Sequence, residues 1–312
     1  MTEIRSCALI VLLTLLLQAC TTARTQQRHF NQAFTQLEHS TDADSLAAAA
    51  MLSQFRQPQP REETRYALLA RAVGAAPERA DLAWLSIQAC RDIPACDLEP
   101  EVDRLRALDP SNGAGWLNAV ARANAAGDEA AKIAALSALA RAERVDVYWT
   151  TLIVHLTRAL AATHQLPLHQ ALVDIIGTVD PGALPNYTPT LSLCKGERLN
   201  NDEVLQDCRR VASAFEQGDT FITEDVGLTI AKRVWPADST EWKAAQEETR
   251  VATYRTHASG QLELKSGVGA RWAQEFLSLC EQNRREQDVA LAQIVKAGKS
   301  PDPPPDWTSV TN

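Results

Sequence analysis

Along most of the chain apolar residues recur at three- and four-residue spacing, the mark of helices that bury one face. The middle of the sequence shows it best: Trp116-Leu117, Val120 and Ala123 share one helical face, Gly127-Asp128 turns, and Ile133, Leu136, Leu139 and Ala140 continue a second helix. Upstream, Asp42-Ala43-Asp44-Ser45 opens a helix that Pro58 and Pro60 stop, and residues 61–75 place Tyr66, Leu69 and Val73 on one side. Downstream, 166–177 reads as a short helix closed by Gly177, and 201–217 as a helix capped by Asn201 or Asp202. Two more helices cover 223–235 and 239–257, the second capped by Ser239, whose hydroxyl suits an N-cap. A single last helix is expected from about Gly269 to Lys296, with Trp272, Phe276, Leu279 and Cys280 aligned.

Composition strengthens the all-α expectation. Hydrophobic residues make up 45% of the 312 and aromatics only 5%, so alanine and leucine carry the packing, and both favour helix. The net charge is −8. Nucleic-acid binding needs a clustered basic face and is not expected.

Trp84, Trp116 and Trp149 stand 32 and 33 residues apart, and Pro77 and Pro110 are themselves 33 apart. This spacing, over roughly residues 77–176, resembles a degenerate tetratricopeptide repeat, whose period is close to 34. The resemblance implies a right-handed array of antiparallel helix pairs, an α-solenoid in which the three indoles fill the seams between pairs.

The amino terminus carries a different signal. Cys7 to Leu17 is a run of 11 residues, apolar but for Thr14, too short to cross a bilayer of roughly 30 Å as a helix but suited to an export signal. Leu17-Gln18-Ala19-Cys20 follows at once and resembles the lipobox of bacterial lipoproteins. That resemblance implies cleavage before Cys20, a diacylglyceryl (palmitate-type) thioether on its sulfur and a further acyl chain on its amine. Several chains anchor stably where one does so only marginally. Removing residues 1–19 takes away Glu3 and Arg5 together, which leaves the charge unchanged. Thr21 rather than Asp follows the cysteine, so the periplasmic leaflet of the outer membrane is the expected address, ahead of the inner membrane.

Export places the remaining cysteines in an oxidising compartment, where pairing is the default. Cys90 pairs naturally with Cys96 and Cys194 with Cys208, each as a clamp across a helical turn, which leaves Cys280 as a buried free thiol. The spacings C-x5-C and C-x13-C are not those of zinc sites, and no metal or other cofactor is expected. His164 and His169 are five apart with Pro167 between them, and His155 sits in an apolar stretch, where a seam histidine is the commoner case. No hydrolase, metalloprotease or nucleotide-binding motif occurs, and no enzymatic activity is expected.

The expected layout is a signal peptide (1–19), a lipidated tether (20–29), helical repeats (30–177), a C-terminal helical region (178–298) opened by the proline-broken stretch 178–200, and a proline-rich disordered tail (299–312). The function that fits is an interaction scaffold in the cell envelope, held on the membrane by Cys20, with a protein or peptide partner. An immunity lipoprotein that neutralises an antibacterial effector in the periplasm is the alternative.

Overall fold

The computed structural model describes residues 27–56, 62–91, 93, 96–266 and 269–308. Cys20, with the whole signal segment, lies outside the described residues. Among those described there is no strand, and one isolated bridge joins Asn112 to Arg144. The helices are α1 (27–38), α2 (Ala43–Leu52), α3 (Glu62–Ala75), α4 (Ala80–Arg91), α5 (Glu99–Leu108), α6 (Ala114–Ala126), α7 (Glu129–Leu139), α8 (Trp149–Ala162), α9 (Leu168–Ala183), α10 (Thr188–Leu193), α11 (Asp202–Glu216), α12 (Phe221–Val234), α13 (Thr240–Ser266), α14 (Ala270–Gln282) and α15 (Glu286–Lys296).

Local chemistry sets many of the boundaries. Asp42 accepts from the Ser45 amide at the start of α2, Asn201 from Glu203 and Val204 at the start of α11, and the Ser239 hydroxyl from Trp242 ahead of α13. Gly127 closes α6 at a φ of 68°, where a side chain would cost strain, and Asp128 then caps α7 through Ala131. Gly227 meets a different need. A Cβ there would lie 2.6 Å from the Glu216 amide nitrogen and 2.8 Å from the Ala212 carbonyl oxygen, so α11 and α12 can approach only where that carbon is missing.

Helices neighbouring in sequence pack on one another from α2 to α7, then within α8–α9 and α11–α12–α13. In a strictly one-dimensional array that would be all. Here the α8–α9 pair also packs against α2, α4 and α14, and α11 packs on α7. One continuous apolar core runs from Ala33 to Val289, across residue 178. Both disulfides are formed: Cys90–Cys96 joins the end of α4 to the approach to α5, and Cys194–Cys208 ties the end of α10 to α11. Cys280 is free and buried.

Three elements depart from the sequence reading. First, α9 does not stop at Gly177 but continues through Pro181 to Ala183. Proline in a last turn removes only one helical bond, and the carbonyls at the helix end are capped from outside. Arg65 donates to the Gly182 carbonyl (3.1 Å) and the Trp84 indole to the Ala183 carbonyl (3.0 Å). Second, the expected last helix is two, because Asn283 and Arg285 are extended. The Arg284 guanidinium reaches Asp146 and the Gln217 carbonyl, while Arg285 reaches the carbonyls of Glu216 and Gly218. Third, the proline-rich tail is laid along α13 as far as residue 308. Arg250, Tyr254 and Arg255 donate to the carbonyls of Pro304, Ser300 and Pro301, and Trp307 meets the Tyr254 ring edge-on at 5.4 Å.

Candidate functional site

The three spaced tryptophans each fall in the first helix of a pair, but at the fifth residue of α4, the third of α6 and the first of α8. Equal spacing in sequence is therefore not equal register in space. Trp84 is fully buried in apolar surroundings. Trp116 is half-buried, with the Arg106 guanidinium 3.8 Å from its ring centroid. Trp149 sits at a junction of buried charge.

That junction is built on the short linker 144–148 ahead of α8. Asn112 ties the linker on one side: it donates to the Asp146 carbonyl (3.0 Å) and accepts from the Asp146 amide (2.9 Å). Asp219, just before α12, ties it on the other by accepting from the amides of Val147 and Trp149, both at 2.8 Å. Arg144 spans both Asp109 oxygens at 2.8 Å and donates to Asp146 at 2.6 Å, and Arg284 closes on Asp146 from the α14–α15 break. Tyr148 adopts a φ of +62°, a strained choice for an aromatic residue, and its hydroxyl donates to Asp109 at 2.9 Å. Burial pushes the Asp219 carboxyl up to about 7, reinforced by repulsion from Asp146 and opposed by the two amides. Burial, with Asp109 alongside, also raises the Tyr148 phenol.

Beyond Trp149 the charge gives way to a cavity of about 170 Å³. Trp149, Phe221 and Phe276 line it, together with the carboxyl-bearing Asp180 and Glu286. The Trp149 indole donates to Asp180 at 2.8 Å, and Glu286 accepts from the Phe221 amide at 2.9 Å. Phe276 stands edge-on to Trp149, centroids 6.3 Å apart. Phe276 and Gln293 also line an outer cleft of about 270 Å³ between α14 and α15, whose rim carries Arg271, Glu275 and Lys296.

A second concave surface opens at the other end of the molecule, where the described chain begins. Gln27, Phe30, Phe55, Leu166, Val173 and Asp174 line a groove of about 430 Å³. Phe55 and Val173 are 46% and 40% exposed there, unusual for such side chains. Burial raises the Asp174 carboxyl above the usual range, and its partner is the Gln170 amide at 2.7 Å rather than a cation.

The remaining candidates fall as follows. His155 bridges α8 to α2 through Asp44 (2.8 Å), the seam position its apolar neighbours suggest. His164 and His169 do not converge on a ligand set, and among the described residues no three His, Cys, Asp or Glu side chains are placed to hold a metal ion. Sequence reading gave no site role to Asp109, Asp146, Asp180, Asp219 or Arg284. Asp180 sits in an Asp-Pro-Gly run that reads as a turn, and the only sign of Asp219 is its place before the cap Thr220. No protein-family model matches the chain, and neither a curated protein nor a solved structure proves similar to it.

Proposed function

We propose that the protein is a lipid-anchored envelope scaffold that presents the α1 groove, close to the membrane, to a protein segment with apolar anchors and a neighbouring Lys or Arg. One observation carries this reading: Gln27, which lines the groove, stands seven residues beyond Cys20. Seven extended residues reach at most about 25 Å, so acylation of Cys20 would hold the groove within that distance of the bilayer. The partner chemistry follows from the lining, since exposed Phe55 and Val173 offer apolar contact and Asp174 has no cation beside it among the described residues. Binding rather than catalysis is the proposed activity. The strongest ionisable groups elsewhere are committed to one another at the 144–148 junction. Two formed disulfides suit the oxidising periplasm. No helix among the described residues is long and apolar enough to cross a membrane, so the lipid would be the anchor. The consecutive pairs α4–α5, α6–α7 and α8–α9 suit a compacted array of the right-handed tetratricopeptide kind.

Two measurements test the proposal. Cys20→Ala should release the protein from the membrane fraction and remove the acyl mass; retention of an unlipidated chain there refutes the anchor. A photo-crosslinker at Val173 should give a discrete adduct in cells that Asp174→Lys abolishes. Adduct yields equal to those of a crosslinker on the far end of α13, or unchanged by the charge reversal, refute the groove.

A further inference from the structure

The tail beyond α15 is seated on α13 by contacts that involve neither the groove nor the anchor. It leaves α15 at Gly298, whose φ of +69° ends the helix. Residues 300–307 (SPDPPPDW) include four prolines, which have no amide to donate and whose rings fix φ near about −65°. Such a segment offers a row of carbonyl oxygens, and α13 supplies the donors. Tyr254 gives its hydroxyl to the Ser300 carbonyl, Arg255 its Nε to Pro301 and Arg250 its guanidinium to Pro304, each at 3.2 Å. Glu247 steadies Arg250 from the same helix. Pro303 is buried between the exposed Asp302 and Pro304, so its ring is the anchor. Trp307 closes edge-on against Tyr254, and the Asp302 carboxylate lies 3.7 Å from Arg255.

We propose that this face of α13 is a docking site for an acidic, proline-rich segment of a partner protein, with the tail as its resident occupant. Donors aimed at backbone carbonyls, a seat for one proline ring and an aromatic neighbour suit extended proline-rich chains, which are stiff beforehand and lose little entropy on docking. Few of the contacts belong to this tail alone. The three donors read carbonyls, which every residue has, and beyond the prolines only Asp302 and Trp307 add side chains to the contact with α13. Charge selects the class of ligand. Arg250 and Arg255 both act on Asp302, so they favour an acidic segment and repel a basic one. The contact can also open without unpacking the core, because Arg250, Tyr254 and Arg255 are only half-buried and Pro304 and Pro305 are exposed. A segment tethered this closely competes at a millimolar effective concentration, which a partner binding more tightly overcomes.

Fluorescence anisotropy of a fluorescein-labelled peptide copying residues 299–308 tests the proposal on the full chain in a non-ionic detergent. The unaltered protein should bind it weakly, because its own tail competes. Trp307→Ala loosens the tail alone and should strengthen peptide binding at least about tenfold. Adding Arg255→Ala on the receiving face should abolish that gain. A peptide with its prolines replaced by alanine should bind at least about tenfold more weakly, since it must be ordered on docking. The comparison of the unaltered protein with Trp307→Ala leaves α13 intact. A tail that is only a structural strap predicts no peptide binding to Trp307→Ala at about 1 mM, and that result overturns the proposal. So does equal affinity for the proline and alanine peptides. A concentration-dependent dimer of the unaltered chain that Trp307→Ala dissociates also overturns it, because the occupant is then a second copy.

Discussion

Trp84 and Trp149 stand at the same recurring interval of the sequence and live in opposite surroundings. The first is sealed among apolar side chains, with its one polar atom spent on the Ala183 carbonyl. The second opens a helix that is held by a buried carboxylate, beside a strained tyrosine and a cavity lined in part by Asp180 and Glu286. The α4 region is organised for stability, whereas the α8 junction accepts costs that stability alone would avoid. Strain and buried charge of that kind gather where a molecule binds or moves.

Four experiments bear on this contrast. Trp84→Ala should be the most damaging, lowering unfolding free energy in urea by about 3–5 kcal/mol, as expected for an aromatic side chain removed from a packed core. A loss below about 1 kcal/mol would mean that the α4 region relaxes freely and is no anchor. Asp219→Ala should cost about 2–3 kcal/mol, because two buried amides lose their acceptor while repulsion on Asp146 is relieved. No loss would show that the 144–148 linker holds without it. Trp116→Ala should cost about 1 kcal/mol, the scale of a half-exposed ring under a guanidinium. A loss equal to that of Trp84 would restore the three indoles to equivalence.

The remaining test is a pH dependence. The Asp219 carboxyl is raised in the fold from 3.8 to about 7, so the native state holds its proton more tightly than the unfolded chain. Its contribution is fully present below about 4 and is lost as pH rises through about 7. Unfolding of the wild type and of Asp219→Asn, compared between pH 4 and 8, should show the wild type falling relative to the variant. Parallel curves would mean that Asp219 stays ionised throughout.

Much of the helical frame was readable without coordinates, because its causes are local. Asp42, Asn201 and Ser239 cap as their side chains dictate, and Gly127-Asp128 turns where glycine permits a positive φ. The two disulfides follow from short separations across a turn. Three features were not readable, for a common reason. Residues 269–296 have helical periodicity throughout, and the break at Asn283–Arg285 comes from carbonyls and a carboxylate more than sixty residues away. Pro181 looks like a terminator until Arg65 and Trp84 supply the missing partners. The tail has no apolar period, but its carbonyls match three donors along α13. The candidate cavity was hidden in the same way. Its walls come from α8, α9, α12, α13, α14 and α15, and no stretch of sequence contains two of its three rings.

The buried sulfur of Cys280 has a consequence for how the disulfides survive. Burial, with Glu286 nearby, pushes that thiol up to about 12. At neutral pH the thiol therefore stays protonated, and it is the thiolate that attacks a disulfide. A reactive odd cysteine would otherwise be able to attack Cys90–Cys96 and Cys194–Cys208. Docking of α14 therefore acts as the step after which the covalent pattern can no longer be rewritten from within.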